Sequence, residues 1–234
     1  MRSAARTMPG VKVEVVETSV PMQKYTGEQK FDHHMDTYFG FMAKTERALY
    51  EDGPVCIADN DIIFFQSVED VFNKDFDIAV TTRDHKCNLN TGVFFSRGTT
   101  AAKAFITRWL EHTRAIATQF DEDRISRHAG IDQAALFQTL EDGLPVKVLF
   151  LPCLIWNAEQ TCWKHMTTKT RVVHIKSGLR DIVFGKKKMN RKLYYLKPIL
   201  EEIQKYENHT RRNKVHRPST VRLARPHHRF YQRH

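Results

Sequence analysis

Val55-Cys56-Ile57-Ala58-Asp59-Asn60-Asp61, followed at once by Ile62-Ile63-Phe64-Phe65, is the stretch on which the reading of this chain turns. A short apolar run bounded by turn residues reads as a buried strand, so Asp59 and Asp61 stand where a strand leaves a core. In open α/β sheets that end of a strand is where ligands bind. Two carboxylates one residue apart repel each other and are costly to desolvate. A divalent cation relieves both problems, and Mg²⁺ or Mn²⁺ takes oxygen ligands. The same residues would also serve as a plain polar turn after a strand, and the rest of the chain has to decide between the two readings.

The chain has 234 residues, enough for one α/β domain with a substantial core. An apolar fraction of 41% and a mean hydropathy of −0.51 hint that part of it does not pack. The net charge of +10 suggests nucleic acid until it is located. Residues 208–234 hold seven arginines, one lysine and no acid, which is +8 and leaves only +2 for the body. We therefore expect a near-neutral domain over residues 1–207, followed by a basic tail at 208–234 that is disordered or loosely packed. Such a tail suits an anionic lipid or polymer surface, and the body carries no recognised module for a specific nucleic acid.

The four cysteines, Cys56, Cys87, Cys153 and Cys162, have no paired short spacing. Cys153, Cys162 and His165 fit no standard zinc pattern, Cys56 reads as a small buried thiol, and a reduced compartment is the simplest expectation. Nothing approaches the ~20 apolar residues of a membrane span. The first residues lack the apolar core of a signal peptide. As it stands the sequence is expected to be soluble and cytoplasmic.

Moving outward from Asp59, residues 2–8 read as a helix stopped by Pro9-Gly10, and the alternation of Val11, Val13 and Val15 reads as a strand. Residues 36–51 suit a helix closed by Gly53-Pro54, and Ser67-Val68-Glu69-Asp70 has the form of a capping box opening a short helix. Residues 78–82 and 92–96 read as strands. From about Thr100 a long helix carries Ala102, Phe105, Trp109, Ile116 and Phe120 as its core stripe. Helices at 132–141 and 196–206 and strands at 146–151 and 171–175 complete the pattern. Strands alternating with helices imply an α/β fold with a mainly parallel sheet.

Several motifs in this order resemble the nucleotide-sugar glycosyltransferases of the GT-A fold, a Rossmann-type single domain, over about residues 11–180. Lys44 followed by Leu49-Tyr50-Glu51-Asp52-Gly53-Pro54-Val55 resembles that fold's helix-then-strand opening. Asp59-Asn60-Asp61 resembles its DxD motif, Asn90-Thr91-Gly92-Val93-Phe94-Phe95 its Asn-x-Gly strand, and Asp132-Gln133 its Asp-Gln pair at a helix start. His174 after Val172-Val173 resembles the late metal-site histidine. The pairing of Asp-Gln with a late His is similar to the retaining, glycosyltransferase family 8-like members.

The resemblance implies Mn²⁺ or Mg²⁺ on Asp59, Asp61 and His174, acting as a Lewis acid on the diphosphate of a nucleotide sugar. A UDP-sugar is the leading donor, and the acceptor is a saccharide, lipid or protein. Lys44 and Asp59 would contact the nucleotide sugar, Asn90 and Gly92 the donor or acceptor hydroxyls, and Lys176 and Arg180 the phosphates. Asp132 would bind donor hydroxyls, with Gln133 near the anomeric carbon. An inverting enzyme would instead use Asp132 as the base that deprotonates the acceptor. The family pattern has Gly three and Lys six residues after the His, whereas here Gly178 stands at four and Arg180 at six. Trp156-Asn157 and Trp163 are candidates for stacking on an acceptor sugar or for plain core packing.

The GT-A fold opens on a strand that forms part of the base pocket, and this chain opens on what reads as the helix after it. We therefore expect a shortened or amino-terminally incomplete member lacking the first strand. A missing leader would place the protein in the Golgi lumen or on a membrane. Two rivals remain. A haloacid dehalogenase-type phosphohydrolase also places Asp-x-Asp after a strand, but usually has Thr or Val two residues beyond the second Asp, where this chain has Ile63. A basic nucleic-acid binder rests on the tail and Lys186-Lys187-Lys188, and its affinity would fall steeply with salt.

Overall fold

The computed structural model describes residues 2–16, 29–83, 88–183, 196, 197 and 199–201. The elements are α1 (Arg2–Thr7), α2 (Gln29–Ala48), β1 (Val55–Ala58), β2 (Ile62–Phe64), β3 (Ile78–Thr82), β4 (Leu89–Ser96), α3 (Thr100–Gln119), α4 (Glu122–His128), α5 (Ile131–Glu141), β5 (Val148–Pro152), α6 (Cys153–Trp156), β6 (Val172–His174) and α7 (Ser177–Val183). Two short 3₁₀ turns, Glu69–Asn73 and Trp163–His165, lie between them. Four strands form one sheet in the order β1-β4-β3-β5, and β2 pairs with β6 in a second sheet.

The α/β class is as expected. In the larger sheet β1, β3 and β5 run one way and β4 runs against them, between β1 and β3. The expectation of a mainly parallel sheet thus holds for strand direction but not for pairing. Only β3–β5 is a parallel pair, because the reversed β4 separates the other two.

Both faces of the central strands β3 and β4 are covered, which is why they read as continuous apolar runs rather than alternating ones, whereas Phe150 on the edge strand β5 is exposed. Along β3, Ile78 and Val80 face a core made with Phe41 and Met42 of α2, Phe105 and Trp109 of α3, and Leu136 of α5. Ala79 faces the opposite way, with Val93 and Phe95 of β4, toward Ile62, Phe64, Val71 and Phe76. The small sheet is buried on both sides as well. Ile62, Phe64 and Val172 join the second core, while Ile63 and Val173 pack on Trp163, Leu179, Leu196 and Ile199.

The long helix forms where its stripe placed it, with Ala102, Phe105, Trp109 and Ile116 buried and Thr99 capping it by accepting from Ala102 N at 3.1 Å. Three expectations are corrected. Val11, Val13 and Val15 form no strand, and no strand pairs with them among the described residues; Val11 and Val15 are exposed, so the alternation lacks a sheet face to bury. The second helix spans Gln29–Ala48 among the described residues, rather than 36–51. Ser67 bonds Glu69 two residues on rather than Asp70, which gives a 3₁₀ turn and no capping box. Residues 202–206 of the expected terminal helix and the whole tail at 208–234 lie outside the described residues.

Candidate active site

Three backbone pairings bring the acidic strand end and the late histidine together. Asp59 N donates to Gly92 O at 2.9 Å just past β1, Ile175 N donates to Asp61 O at 2.8 Å, and His174 lies opposite Ile62 in the β2–β6 pair. His174 Nε2 consequently stands 2.9 Å from Asp61 Oδ1 and 3.5 Å from Asp59 Oδ2. The potential ligand atoms of the three residues all lie within 4.8 Å of one another, and no other such group of His, Cys, Asp and Glu converges among the described residues.

Cations surround the pair. Lys44 of α2 makes an ion pair with Asp59, and Arg180 of α7 makes one with Asp61. Burial pushes the Asp61 carboxyl up, but His174 and Arg180 outweigh it and hold the group at about 2. Ionised oxygens beside an imidazole nitrogen are a donor set that a hard divalent cation accepts, so these residues fit Mn²⁺ or Mg²⁺. Lys176 follows within two residues of His174 and is half-buried.

The expected Asn-x-Gly segment has a structural reason. Val80 of β3 pairs with Phe94, but the next residue, Thr81, pairs with Asn90. Thr91, Gly92 and Val93 are therefore excess residues in β4, a bulge that sets Thr91 against Asp132 and Gly92 against His174. A Cβ on Gly92 would stand 2.5 Å from His174 Nδ1 and 2.6 Å from its Cε1. Glycine is required there so that the imidazole can reach the carboxylates. Gly92 thus shapes the site, and its role as a substrate contact is not needed to explain it. The Asn90 amide oxygen accepts from Gly92 N and from Asn157 Nδ2, each at 2.9 Å.

Asp132 and Gln133 open α5, whose first residues are buried. Thr91 in the bulge donates to Asp132 Oδ2, linking α5 to the aspartate cluster. Burial raises the Asp132 carboxyl above its ordinary range, against the Thr91 hydrogen bond and with the help of the Asp59 charge. Gly130, at φ 154°, has no room for a side chain, since a Cβ would lie 2.7 Å from Asp132 Oδ1. Gln133 is tied at both ends: Nε2 donates to Ala129 O at 2.9 Å and Oε1 accepts from Arg83 Nη2 at 3.4 Å.

Sequence reasoning missed several residues. Arg83, at the end of β3, also approaches Glu159 at 3.7 Å, with the two side chains only 9% and 6% exposed. The signal was a charge directly continuing the apolar run 78–82. Thr81, Thr91 and the amide of Asn157 had no local signal. Trp156 and Trp163 are buried, and Trp163 Nε1 donates to Ala158 O at 3.1 Å, so both belong to cores and not to a sugar-stacking surface. Cys56, Cys153 and Cys162 are free thiols, and Cys87 lies outside the described residues.

No curated protein matches this sequence. Among solved structures, the chain is similar to a glycosyltransferase involved in the glycosylation of the major capsid of PBCV-1, with 11% identity over 70% of this chain and 78% of that one and a TM-score of 0.47. It is also similar to the glycosyltransferase GlyE of Streptococcus pneumoniae TIGR4, with 16% identity over 79% of this chain and a TM-score of 0.44, and it spans 50% of that chain's length. No helix among the described residues is long and apolar enough to cross a membrane. The family profile of nucleotide-diphospho-sugar transferases matches residues 21–191, a span that holds the Asp59, Asp61 and His174 cluster together with Asn90, Asp132 and Gln133. This chain belongs to that family, as a GT-A-like nucleotide-sugar glycosyltransferase.

Proposed function

We propose that the chain transfers a hexosyl group, with retention of configuration, from a UDP-sugar to a hydroxyl of a saccharide, lipid or protein, in a reaction that requires Mn²⁺ or Mg²⁺. The observation that carries this reading is the convergence of Asp59 and Asp61, from the turn between β1 and β2, with His174 at the end of β6. These residues would hold the cation, which when bound supplies Lewis-acid neutralisation of the departing diphosphate. Lys44 and Arg180, which here lie on the two aspartates, carry cationic groups suited to phosphate oxygens, and Lys176 would add a third charge. Asp132, oriented by Thr91, would bind donor hydroxyls. Arg83 and Ala129 hold the Gln133 amide in place beside it.

One observation favours inversion as a second reading. A buried carboxyl with a raised affinity for protons, such as Asp132, suits a general base toward the acceptor hydroxyl. The anomeric configuration of the product, read by NMR, separates the two. The basic tail at 208–234 would serve as an anionic-surface contact near the acceptor.

The test of the main reading is a thermal-shift screen of nucleotide sugars with and without Mn²⁺. A donor at 100 times its Kd stabilises the folded chain by about 2.7 kcal/mol. We expect a UDP-sugar to raise Tm only with metal, and Asp61→Ala to abolish that increment. If no nucleotide sugar shifts Tm under any metal condition, the reading is wrong; release of phosphate from simple phosphomonoesters would point to the hydrolase instead.

A further inference from the structure

Beside the aspartates, three buried polar side-chain atoms lack hydrogen-bond partners among the described residues. Asn157, Asn90 and His174 are 0%, 1% and 1% exposed, yet Asn157 Oδ1, Asn90 Nδ2 and His174 Nδ1 find no hydrogen-bond partner among the described residues. An orphaned buried polar atom costs about 1–3 kcal/mol, so three in one place call for an occupant. They are neighbours. His174 Nδ1 and Asn90 Oδ1 lie 2.5 and 3.0 Å from the point where a Gly92 Cβ would stand. Asn157 bonds Asn90 directly, and Ala158, next to Asn157, accepts from His174 N at 2.9 Å.

The amide orientations are fixed. Asn157 Nδ2 donates to Asn90 Oδ1 at 2.9 Å and to Thr81 Oγ1 at 3.0 Å. Turning the Asn157 amide over would set its oxygen against Asn90 Oδ1 and against a Thr81 hydroxyl already committed to Asn90 O at 2.7 Å. Asn90 Oδ1 accepts from both Gly92 N and Asn157, which fills its lone pairs. The atoms left without partners are thus a donor, Asn90 Nδ2, an acceptor, Asn157 Oδ1, and the imidazole Nδ1.

We propose that Asn157 is a positioning residue for His174, acting through one buried water held between Asn157 Oδ1, Asn90 Nδ2 and His174 Nδ1. The inference rests on the metal reading of Asp59, Asp61 and His174. When Nε2 ligates a cation, Nδ1 carries the ring hydrogen, and metal-bound histidines almost always give that hydrogen to an outer acceptor. Asn90 Oδ1 is saturated, so the hydrogen goes to the water. The water accepts from His174 Nδ1–H and Asn90 Nδ2 and donates to Asn157 Oδ1, three bonds in all, as is usual for a buried water. Asn157 thereby sets the ring plane of a ligand it does not touch.

The experiment measures Mn²⁺ affinity on the full chain, by electron paramagnetic resonance of free Mn²⁺, and Tm in the presence of chelator. Asn157→Leu keeps the branched side-chain skeleton and removes the acceptor, together with the Nδ2 donor to Asn90 and Thr81. It is expected to weaken Mn²⁺ binding about 10–100-fold. Thr99→Ala, which destabilises α3 through its cap far from these atoms, is expected to leave the Kd unchanged. Equal Mn²⁺ affinity in Asn157→Leu and the unsubstituted chain overturns the inference and leaves the metal reading standing. An unsubstituted chain that binds no Mn²⁺ overturns both. Should Asn157→Leu fail to fold, a crystal structure of the unsubstituted protein with Mn²⁺ decides: an ordered water touching all three atoms supports the inference, and the lack of one overturns it.

Discussion

Asp132 is a carboxyl that folding withdraws from water. Burial raises its pKa, and the Thr91 hydrogen bond only partly opposes this. A group whose folded pKa lies above its unfolded value binds protons more tightly when folded, so its ionisation works against folding. The penalty is absent below the ordinary carboxylate range and grows as pH rises through the raised value. Asp132→Asn keeps an oxygen for Thr91 and removes the charge. We expect it to raise Tm relative to the unsubstituted chain at pH 8, with the difference closing as pH falls into the ordinary carboxylate range, while transfer activity is lost. A Tm difference that does not vary with pH would show that the carboxyl is unperturbed. A substitution that stabilises the fold and removes activity marks a site where stability is given up for chemistry. Gly92 is the converse case, because an added methyl has nowhere to go but the imidazole 2.5 Å away. Gly92→Ala should cost about 1–3 kcal/mol by denaturant unfolding and abolish the Mn²⁺-dependent rise in Tm; a variant retaining both would mean that the ring sits elsewhere.

Between α3 and α5 the core and the site share one side chain. Trp109 is fully buried, its ring 4.6 Å from that of Phe41 and 5.0 Å from that of Phe94, and its Nε1 donates to Asp132 O at 2.9 Å. The indole thus fixes the first turn of α5, from which Asp132 and Gln133 project. Trp109→Phe keeps an aromatic ring but removes the Nε1 donor, leaving the Asp132 carbonyl its helical partner alone, which should cost about 0.5–1.5 kcal/mol and weaken donor binding as well. Intact donor affinity in the variant would confine Trp109 to packing. Elements whose apolar period matches a real core were legible from sequence, as β3 at Ile78–Thr82 shows by coinciding with the expected strand. The alternation of Val11, Val13 and Val15 misled because period 2 marks a strand only where a sheet face exists to receive it. The seven-residue α4 was missed because a single buried residue, Ile125, makes no stripe.

The aspartates, Asn-x-Gly, Asp-Gln and the late histidine were legible as an ordered set of motifs, because their residue types are dictated by chemistry and their order by the chain path. Arg83, Glu159 and Thr81 were not, and Asn157 was read only with Trp156 as a stacking candidate, since each matters through partners brought close by folding: Asn157 meets Thr81 across 76 positions of sequence and Asn90 across 67. The bulge in β4 was equally hidden, being a property of strand pairing. The same topology puts the cluster at a seam. Asp59 follows β1 of the larger sheet, whereas Asp61 and His174 flank the β2–β6 pair. Across this junction the backbone of Asp59 is tied to Gly92, and that of Asp61 to Ile175. A cation shared by Asp59, Asp61 and His174 would therefore join two sheets that each have their own hydrogen-bond ladder. Local opening free energies differ between such units, and a ligand that bridges them raises the cost of opening the weaker one. The three-residue strands Ile62–Phe64 and Val172–His174 form the smaller unit. We expect Mg²⁺ with UDP to slow amide hydrogen exchange in those two strands more than in β3 and β5, and the slowing to disappear in Asp61→Ala. Uniform protection across both sheets would indicate that the ligand stabilises the domain as one unit, and protection confined to β3 and β5 would place the ligand away from the aspartates altogether.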